Sequence, residues 1–422
     1  MGKPGFSRRD FLRRSVLGAG AIALPNILVR KSWGEGVRDD ATKRLTVGVI
    51  GVGGRGRDDM RAFLAQRDVQ VVAVCDCYAD RRAQAAEMVN QAYGNQDCAQ
   101  YIDMMEIINR PDIDAVLIAT GDNWHSGVSI LAARAGKDIY CEKPLSVCIS
   151  ESRAVADTMK RLGRVFQCGT QRRSIGHFRY AVHLARTGML GELKELHAEE
   201  AGAFLKLDER IMPTEPEPPK DIFDWNGWLG PAQWRPYNAE TPTRGFWSGH
   251  VDFSGGSITE WGSHTVDICQ WGNNSDDSGP VEFWQEGERY IGRYKNGTKL
   301  VIRRGLRFGS CPIRFEGTEG WVETGDSGEI ETYPKSLLGN RGFESGYPQD
   351  NHVRAFLDCV KTREQTNANA EVAHRSITAC HVANMCKRLG RPIKWDPVKE
   401  EVIGDPEAAR MASRAYREPW FL

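Results

Sequence analysis

The chain has 422 residues, enough for two domains that each bury their own core. Lys plus Arg and Asp plus Glu both number 56, so the formal net charge is zero, which excludes a global pull toward nucleic acid or anionic lipid. The 11 cysteines show no paired C-x-x-C units, and Cys75, Cys141 and Cys168 lie in apolar runs as small hydrophobes; neither a structural metal nor a disulfide framework is expected.

The N-terminus reads Ser7-Arg8-Arg9-Asp10-Phe11-Leu12-Arg13, and an apolar run follows from Val16 to Val29, softened by Gly18 and Gly20. Paired arginines, Phe-Leu and an apolar run in that order resemble the twin-arginine export signal, with Arg13 where the pattern has Lys. Residues 1–42 are read as signal and polar linker, outside the fold. Ala21-Ile22-Ala23 offers an A-x-A cleavage site that lies early, so an uncleaved anchor stays open as the alternative. No other stretch is long and apolar enough to span a membrane. The resemblance implies export of a folded protein to the periplasm or another extracytoplasmic space.

Residues 43–169 read as a dinucleotide-binding Rossmann domain. Leu45 to Ile50 is a short apolar strand, followed at once by Gly51-Val52-Gly53-Gly54-Arg55-Gly56 and then by helical spacing at Met60, Phe63 and Leu64. Gly51, Gly53 and Gly56 match G-x-G-x-x-G: a tight turn, room for backbone to approach a diphosphate, and close packing of helix on strand. Gly54 and Arg55 share the same turn. A second strand, Val69 to Cys75, ends in Asp76, where a carboxylate accepts hydrogen bonds from ribose hydroxyls and repels a 2′-phosphate. This favours NAD; Arg81 and Arg82 could meet a phosphate, so NADP stays open. The other reading of Asp76 is a helix N-cap for Ala79 onward. Further elements alternate: helix Asp103–Asn109, strand Asp114–Thr120, helix Gly127–Ala135, strand Asp138–Cys141, helix Ser150–Leu162 and strand Val165–Cys168. This is the pattern of a doubly wound parallel sheet, whose ligands lie where strands end. Thr120, Asn123, His125, Glu142 and Lys143 all follow strand ends and are assigned to the cofactor, though His125 could equally cap or pack against its loop.

Glu142-Lys143-Pro144 after a strand, downstream of that fingerprint, resembles the Gfo/Idh/MocA family, named for glucose-fructose oxidoreductase and inositol dehydrogenase. A second signature, G-G-x-x-x-D-x-G-x-H-x-x-D, is met by Gly255, Gly256, Gly262, His264 and Asp267, with Glu260 where the family more often has Asp. Thr120-Gly121-Asp122-Asn123 departs from the commoner T-P-x-x. The segments Asp224 to Pro231, Trp234 to Asn238, Trp395-Asp396-Pro397 and Arg417-Glu418-Pro419-Trp420 resemble an exported subgroup. The resemblance covers about Lys43 to the end. It implies that Lys143 stands beside the nicotinamide and polarises the reacting oxygen. Glu260 and His264 are four apart on one helical face. His264 is the expected general base, with Glu260 orienting it or hydrogen-bonding a sugar hydroxyl. Asp267 is either a helix-stabilising or a substrate-binding carboxylate. Glu260, His264 and Asp267 have the donor atoms for a zinc site, but the resemblance explains them without metal, and none is expected.

Residues 170–422 read as a second, α+β domain for substrate binding and oligomerisation. Gln171 and Arg172 follow the last Rossmann strand, within reach of substrate or in a structural role. A helix at His177–Thr187, a strand at Leu193–Glu199 and an ordered Pro- and Trp-rich excursion from Pro213 to Tyr237 come next. Strands are expected at Val281–Gln285, Tyr290–Tyr294, Lys299–Arg304, Pro312–Glu316 and Trp321–Glu323, and helices at His352–Lys361 and Ala373–Lys387. The resemblance implies an open, mainly antiparallel sheet, covered by helices on one face and used for contacts in a homodimer or homotetramer on the other. Most of the 12 tryptophans are expected in cores; Trp247 and Trp261 flank the signature segment and are assigned to stacking on a sugar.

The reading is an oxidoreductase that moves hydride between a sugar or polyol hydroxyl carbon and a tightly held NAD, with slow cofactor release expected because free nicotinamide cofactor is scarce outside the inner membrane. The alternative is a glycoside hydrolase or lyase that uses NAD transiently with no net redox change. A third class, a non-catalytic sugar-binding scaffold, is disfavoured by Lys143 and His264.

Overall fold

Strands that read as unbroken apolar runs belong in a sheet covered on both faces. The computed structural model describes residues 44–201, 212–343 and 350–420; the twin-arginine leader and its linker lie outside them. In it β1 (Leu45–Ile50), α1 (Gly54–Leu64), β2 (Val69–Cys75), α2 (Ala79–Tyr93), β3 (Ala99–Tyr101), α3 (Met104–Ile108), β4 (Ala115–Ile118), α4 (Asp122–Arg134), β5 (Asp138–Cys141), α5 (Ile149–Leu162) and β6 (Phe166–Cys168) alternate along the chain. The six strands are parallel, in the order 3-2-1-4-5-6. The order reverses at β1 and β4, so the crevice beyond their C-terminal ends is the ligand position of such a sheet. α4 starts at Asp122, earlier than the expected Gly127. Its first turn is made of buried polar and aromatic residues, Asp122, Asn123, Trp124 and His125, which carry no apolar period.

The second layer continues with α6 (Gly176–Arg186), β7 (Leu193–Glu199), α7 (Trp225–Leu229), α8 (Arg244–Trp247), α9 (Gly256–Gly272), β8 (Glu282–Glu286), β9 (Arg289–Arg293), β10 (Lys299–Arg303), β11 (Ile313–Gly317), β12 (Trp321–Thr324), β13 (Ile330–Tyr333), α10 (Asp350–Thr362), α11 (Ala370–Leu389), β14 (Ile393–Asp396), β15 (Glu401–Val402) and α12 (Pro406–Arg410). Nine strands form one sheet in the order 13-12-11-7-10-9-8-14-15. Every neighbouring pair is antiparallel except β7 with β10, which run parallel.

Alternation fixes the two faces of that sheet. Leu196, Ala198, Leu300, Ile302, Ile313 and Phe315 turn inward and join Val266 and Cys269 of α9 in the core. Glu195, His197, Lys299, Arg314 and Glu316 share the other face, where Arg314 Nε lies 2.5 Å from Glu316 Oε1. His197 Nδ1 accepts from Arg303 Nε at 3.2 Å, so its proton sits on Nε2, toward Glu195 and Glu316 at 3.5 and 3.7 Å. This trio is therefore part of an ion-pair lattice rather than a set of open metal ligands.

α9 is buried nearly all round, its apolar and small residues interleaved with polar ones such as Thr265, Asp267 and Gln270 that find partners inside the fold. Gly262 lets α11 come close: a Cβ there would stand 2.7 Å from Cys380 Sγ. The C-terminal helices also cross the division at 169/170. Val353, Phe356 and Leu357 of α10 pack with Phe63 and Tyr140 in the core of the parallel sheet.

The Pro- and Trp-rich excursion has its own small core of Phe223, Trp225, Leu229, Ala232, Phe246 and Phe253. Asp224 caps α7 through Gly227 N at 2.9 Å. Arg417 grips the far end of the same helix, donating to the Gly230 carbonyl at 3.0 Å and to Asn226 Oδ1 at 2.6 Å. Two of the four segments singled out in the sequence, 224–231 and 417–420, thus meet in one contact.

Candidate active site

The glycine turn fits a diphosphate by its own geometry. Gly51 has φ +86°, and a Cβ there would lie 2.5 Å from the Ala119 backbone. A Cβ on Gly56 would lie 2.0 Å from the Gly51 carbonyl oxygen, so only glycine lets α1 start this close to β1. Around Gly53 and Gly54 the space is open; a Cβ on Gly53 would meet only Arg81 Nη1, at 3.7 Å.

Asp76 ends β2 with Oδ2 on the Val52 N–H at 2.8 Å and Oδ1 on the Tyr78 N–H at 3.0 Å. It fastens the turn to the strand and is no helix cap, since Tyr78 holds that place in α2. Burial raises its pKa above the usual carboxylate value, against the pull of Arg81 and the two N–H donors. Arg82 donates to the Asp76 and Asp221 carbonyls at 2.8 and 2.9 Å, so it is anchored rather than presented to a phosphate. Arg81 stacks over Tyr78 at 3.9 Å, on the open side of the turn.

Several side chains assigned to the cofactor make framing contacts within the fold. Arg55 Nη2 reaches Glu142 at 3.0 Å and Asp59 at 2.8 Å, so its guanidinium faces buried carboxylates. Glu142 also accepts from Gln171 Nε2 at 2.6 Å, and Gln171 donates to the Tyr140 hydroxyl at 3.2 Å; this fully buried amide is structural rather than substrate-facing. Burial would push Glu142 up, but Arg55, then Lys143, bring it below its ordinary value. Asp59 is driven well above its ordinary value by burial and by the charge of Glu142. Asn123 donates to the Leu229 carbonyl at 3.0 Å, clamping the start of α4 to α7. His125 places its ring nitrogens 2.6 Å from the Pro144 carbonyl and 3.2 Å from the Thr120 carbonyl, tying two strand-end loops together. Thr120 keeps its hydroxyl on the Gly121 carbonyl at 3.2 Å.

Lys143 and α9 meet. Lys143 Nζ donates to the Glu260 carbonyl at 3.1 Å, one turn before His264. His264 is 5% exposed, and its Nε2 faces Arg172 Nη1 at 2.9 Å. A guanidinium only donates, so Nε2 is the acceptor and the imidazole proton sits on Nδ1, which is buried without a partner among the described residues. Burial, then the charges of Arg172 and Lys143, hold His264 well below its ordinary pKa. The ring expected to act as base is therefore neutral with its lone pair already taken; it can accept a proton only by parting from Arg172.

Arg172 itself is held by Asp326, Nε to Oδ1 at 3.0 Å and Nη2 to Oδ2 at 2.5 Å. Asp267, offered as a substrate carboxylate, is occupied: Arg173 reaches both its oxygens at 2.7 and 2.9 Å, and Ser376 Oγ adds a bond at 2.7 Å. Both members are 1% exposed, and this buried pair joins the chain after β6 to α9 and α11. Glu260 is buried, with Arg244 Nη2 3.6 Å from Oε2 across a largely exposed side chain. Trp261 is half-buried on α9, and Trp247 packs at the edge of the aromatic excursion core.

Asp326, Arg173 and Asp122 escaped the sequence reading. Asp122 is 4% exposed at the start of α4, where burial and then the charge of Glu260 raise its carboxyl above the ordinary value. A carboxylate opening a helix directly after a strand end was the available signal.

Residues 45–170 match the NAD-binding Rossmann fold of the Gfo/Idh/MocA oxidoreductases, and residues 204–422 match the C-terminal alpha/beta domain of that family. A glycosyl hydrolase family 109 protein of Saccharopolyspora erythraea is 33% identical over 174 residues, 38% of each chain. An inositol 2-dehydrogenase of Salmonella typhimurium is 32% identical over 161 residues, 38% of this chain and 46% of that one. The chain thus spans less than half the length of these relatives. A levoglucosan dehydrogenase in complex with NADH and levoglucosan superposes with a TM-score of 0.62 at 17% identity, covering 83% of this chain and 99% of that one. An aldose-aldose oxidoreductase from Caulobacter crescentus, complexed with glycerol, gives 0.59 at 19% identity over the same shares. At these identities the likeness speaks for the fold.

Proposed function

The chain belongs to the Gfo/Idh/MocA oxidoreductase family, with an NAD-binding Rossmann domain at residues 45–170, and from that footing we propose that it oxidises or reduces a hydroxyl-bearing carbon of a sugar or polyol. The observation that carries this reading is the contact of Lys143 Nζ with the Glu260 carbonyl. It sets the amine that follows β5 against α9, one turn before His264, beyond the C-terminal end of a parallel strand. A bound nicotinamide dinucleotide would accept or give the hydride there, its diphosphate against the Gly51–Gly56 turn and its ribose near Asp76.

The chain's own residues then have separable tasks. The Lys143 ammonium stabilises charge developing on the substrate oxygen. His264 is held neutral by burial and by Arg172, on which its Nε2 rests, so it takes up a proton only when that contact opens. Glu260 and the half-buried Trp261 lie on the same helix and are the residues we assign to the sugar.

The similarity to a protein named for glycoside hydrolysis favours one second reading: transient oxidation followed by bond cleavage and re-reduction. The purified protein should be denatured to identify any bound nucleotide, then offered sugars, polyols and glycosides while nicotinamide absorbance and product mass are followed. Net change in absorbance with a ketone or alcohol product supports the first reading. Cleavage without net redox change supports the second. A protein that binds no nicotinamide nucleotide would overturn both.

A further inference from the structure

A dinucleotide on such a sheet lies across the ends of three adjacent strands. Its adenosine half sits beyond β2, its diphosphate at the turn after β1, and its nicotinamide half from β4 onward. In the order 3-2-1-4-5-6, β2 and β4 flank β1. A segment fastened both to the turn after β2 and to the start of α4 therefore crosses that path.

Residues 221–230 are fastened in this way. On the β2 side, Ala79 N donates to the Ile222 carbonyl at 2.9 Å and Asp224 N to the Cys77 carbonyl at 3.1 Å, framing an antiparallel bridge between Tyr78 and Phe223. The rings of that bridge stack, with centroids 4.1 Å apart and planes 21° from parallel. Arg82 adds its bond to the Asp221 carbonyl. On the β4 side, Trp124 Nε1 donates to the Gly227 carbonyl at 2.9 Å and Asn123 Nδ2 to the Leu229 carbonyl at 3.0 Å. α7 is the piece between the two anchorages. Two strand spacings amount to about 10 Å. The helix rise from Asp224 to Leu229 supplies roughly 7.5 Å of it, and the two side chains from α4 reach across the remainder.

This crosspiece is stiff and bolted. Trp225 is 2% exposed, stacks on Trp228 with centroids 5.2 Å apart, and donates through Nε1 to the Arg235 carbonyl at 3.0 Å. Gly230 ends α7 with φ +53°, and a Cβ there would stand 2.2 Å from the Trp124 ring, so α7 rests directly on α4. Arg417 closes that end: its guanidinium donates to the Gly230 carbonyl at 3.0 and 2.8 Å, to the Asn226 carbonyl at 3.0 Å and to Asn226 Oδ1 at 2.6 Å. The last carbonyls of a helix lack partners within it, and a cation suits that end. Trp420 then meets the Trp124 ring edge-on at 4.9 Å.

We infer that residues 221–230 form a bar across the nucleotide crevice, bolted by Arg417, and that NAD leaves only when this bar lifts. Arg417 and Phe223 touch no reacting atom; they position the bar and so set how long the cofactor stays. The bar matters only if residues 45–170 hold a nicotinamide nucleotide, and that assignment underlies it. Lid opening commonly limits release, and differences among variants of one site fall mostly on the off-rate.

The full chain is loaded with NADH and mixed with excess NAD in a stopped-flow cell, where loss of energy transfer from tryptophan to bound NADH gives the off-rate. Arg417→Met removes the bolt and keeps its bulk; Phe223→Leu removes the ring stack at the other anchorage. Each should speed release roughly tenfold or more. Arg417→Lys keeps a cation at the helix end and should restore part of the slow release. The control is Arg391→Met, which loses only exposed pairings with Asp405 and Glu407 and should exchange at the parent rate. Thermal melting shows that each variant is folded. Off-rates within about twofold of the parent in Arg417→Met and Phe223→Leu overturn the bar. Equal acceleration in Arg391→Met overturns it too, because release would then follow general loosening. A parent chain whose melting point does not move with NAD or NADP, and which takes up neither, overturns the nucleotide assignment itself and the bar with it.

Discussion

Two adjacent arginines show how finely this chain divides its charges. Arg173 turns inward to Asp267, while Arg172 bridges Asp326 to His264. Replacing Arg172 by Met removes the second cause of the depressed His264 pKa and leaves the first, burial. The imidazole should then titrate higher than in the parent, though still below its ordinary value, as read by NMR of the ring nitrogens. The sign for stability follows: a buried neutral histidine binds its proton later than the unfolded chain does. Native stability is therefore lost as pH falls below about 6.5, and that loss should be smaller in Arg172→Met. Lys143→Met keeps the stem and removes the charge. It should cut turnover by roughly 10²- to 10³-fold with nicotinamide affinity little changed; equal losses in both would mean that Lys143 serves binding rather than the chemical step. Lys143, Glu260 and His264 were legible because each stands in a spaced pattern beside a strand end or along a helix. Asp326, Arg173 and Asp122 were not, because their roles are contacts to residues far away in the chain. Gln171 and Asp267 were legible as polar groups near the site, but only packing shows that their atoms are committed elsewhere.

At the level of elements, periodicity located nearly every strand and helix of the parallel sheet. It failed at the start of α4, where Asp122, Asn123, Trp124 and His125 are buried through polar and aromatic contacts rather than an apolar stripe. It also missed β3, β13, β14 and β15, short strands at or next to a sheet edge whose pattern is weak. The contact of α9 with α11 offers a sharp test. Gly262→Ala places a methyl 2.7 Å from Cys380 Sγ and 3.3 Å from Val266 Cγ2. It should cost about 1–3 kcal/mol in urea unfolding. Adding Cys380→Ala should recover part of that loss, so the double variant is less destabilised than the two single effects summed. Strict additivity would show that the helices separate freely and that the glycine is not needed for their approach.

For the whole molecule, the chain order of α/β units and the second signature made the fold readable, while the packing of α10 against the parallel sheet did not follow from any local pattern. We hold to the proposal, read from residues 7–29, that the protein is exported through the twin-arginine route with its dinucleotide aboard. Protein recovered from the periplasmic fraction should then carry nicotinamide nucleotide through gel filtration in stoichiometric amount. A chain that emerges empty and exchanges cofactor within seconds would count against retention.

The parallel pairing of β7 with β10 sets Leu196 beside Leu300, and α9 lies in the chain between them. A tight hairpin can recruit an antiparallel partner early; a same-direction partner has to wait until a long loop has closed, at an entropic penalty. The β7–β10 pairing is therefore expected to form late, which pulse-labelled hydrogen exchange would show as late protection of the amides of these two strands. Under the folded-export proposal, the closing of this seam would also mark the chain as fit for transport.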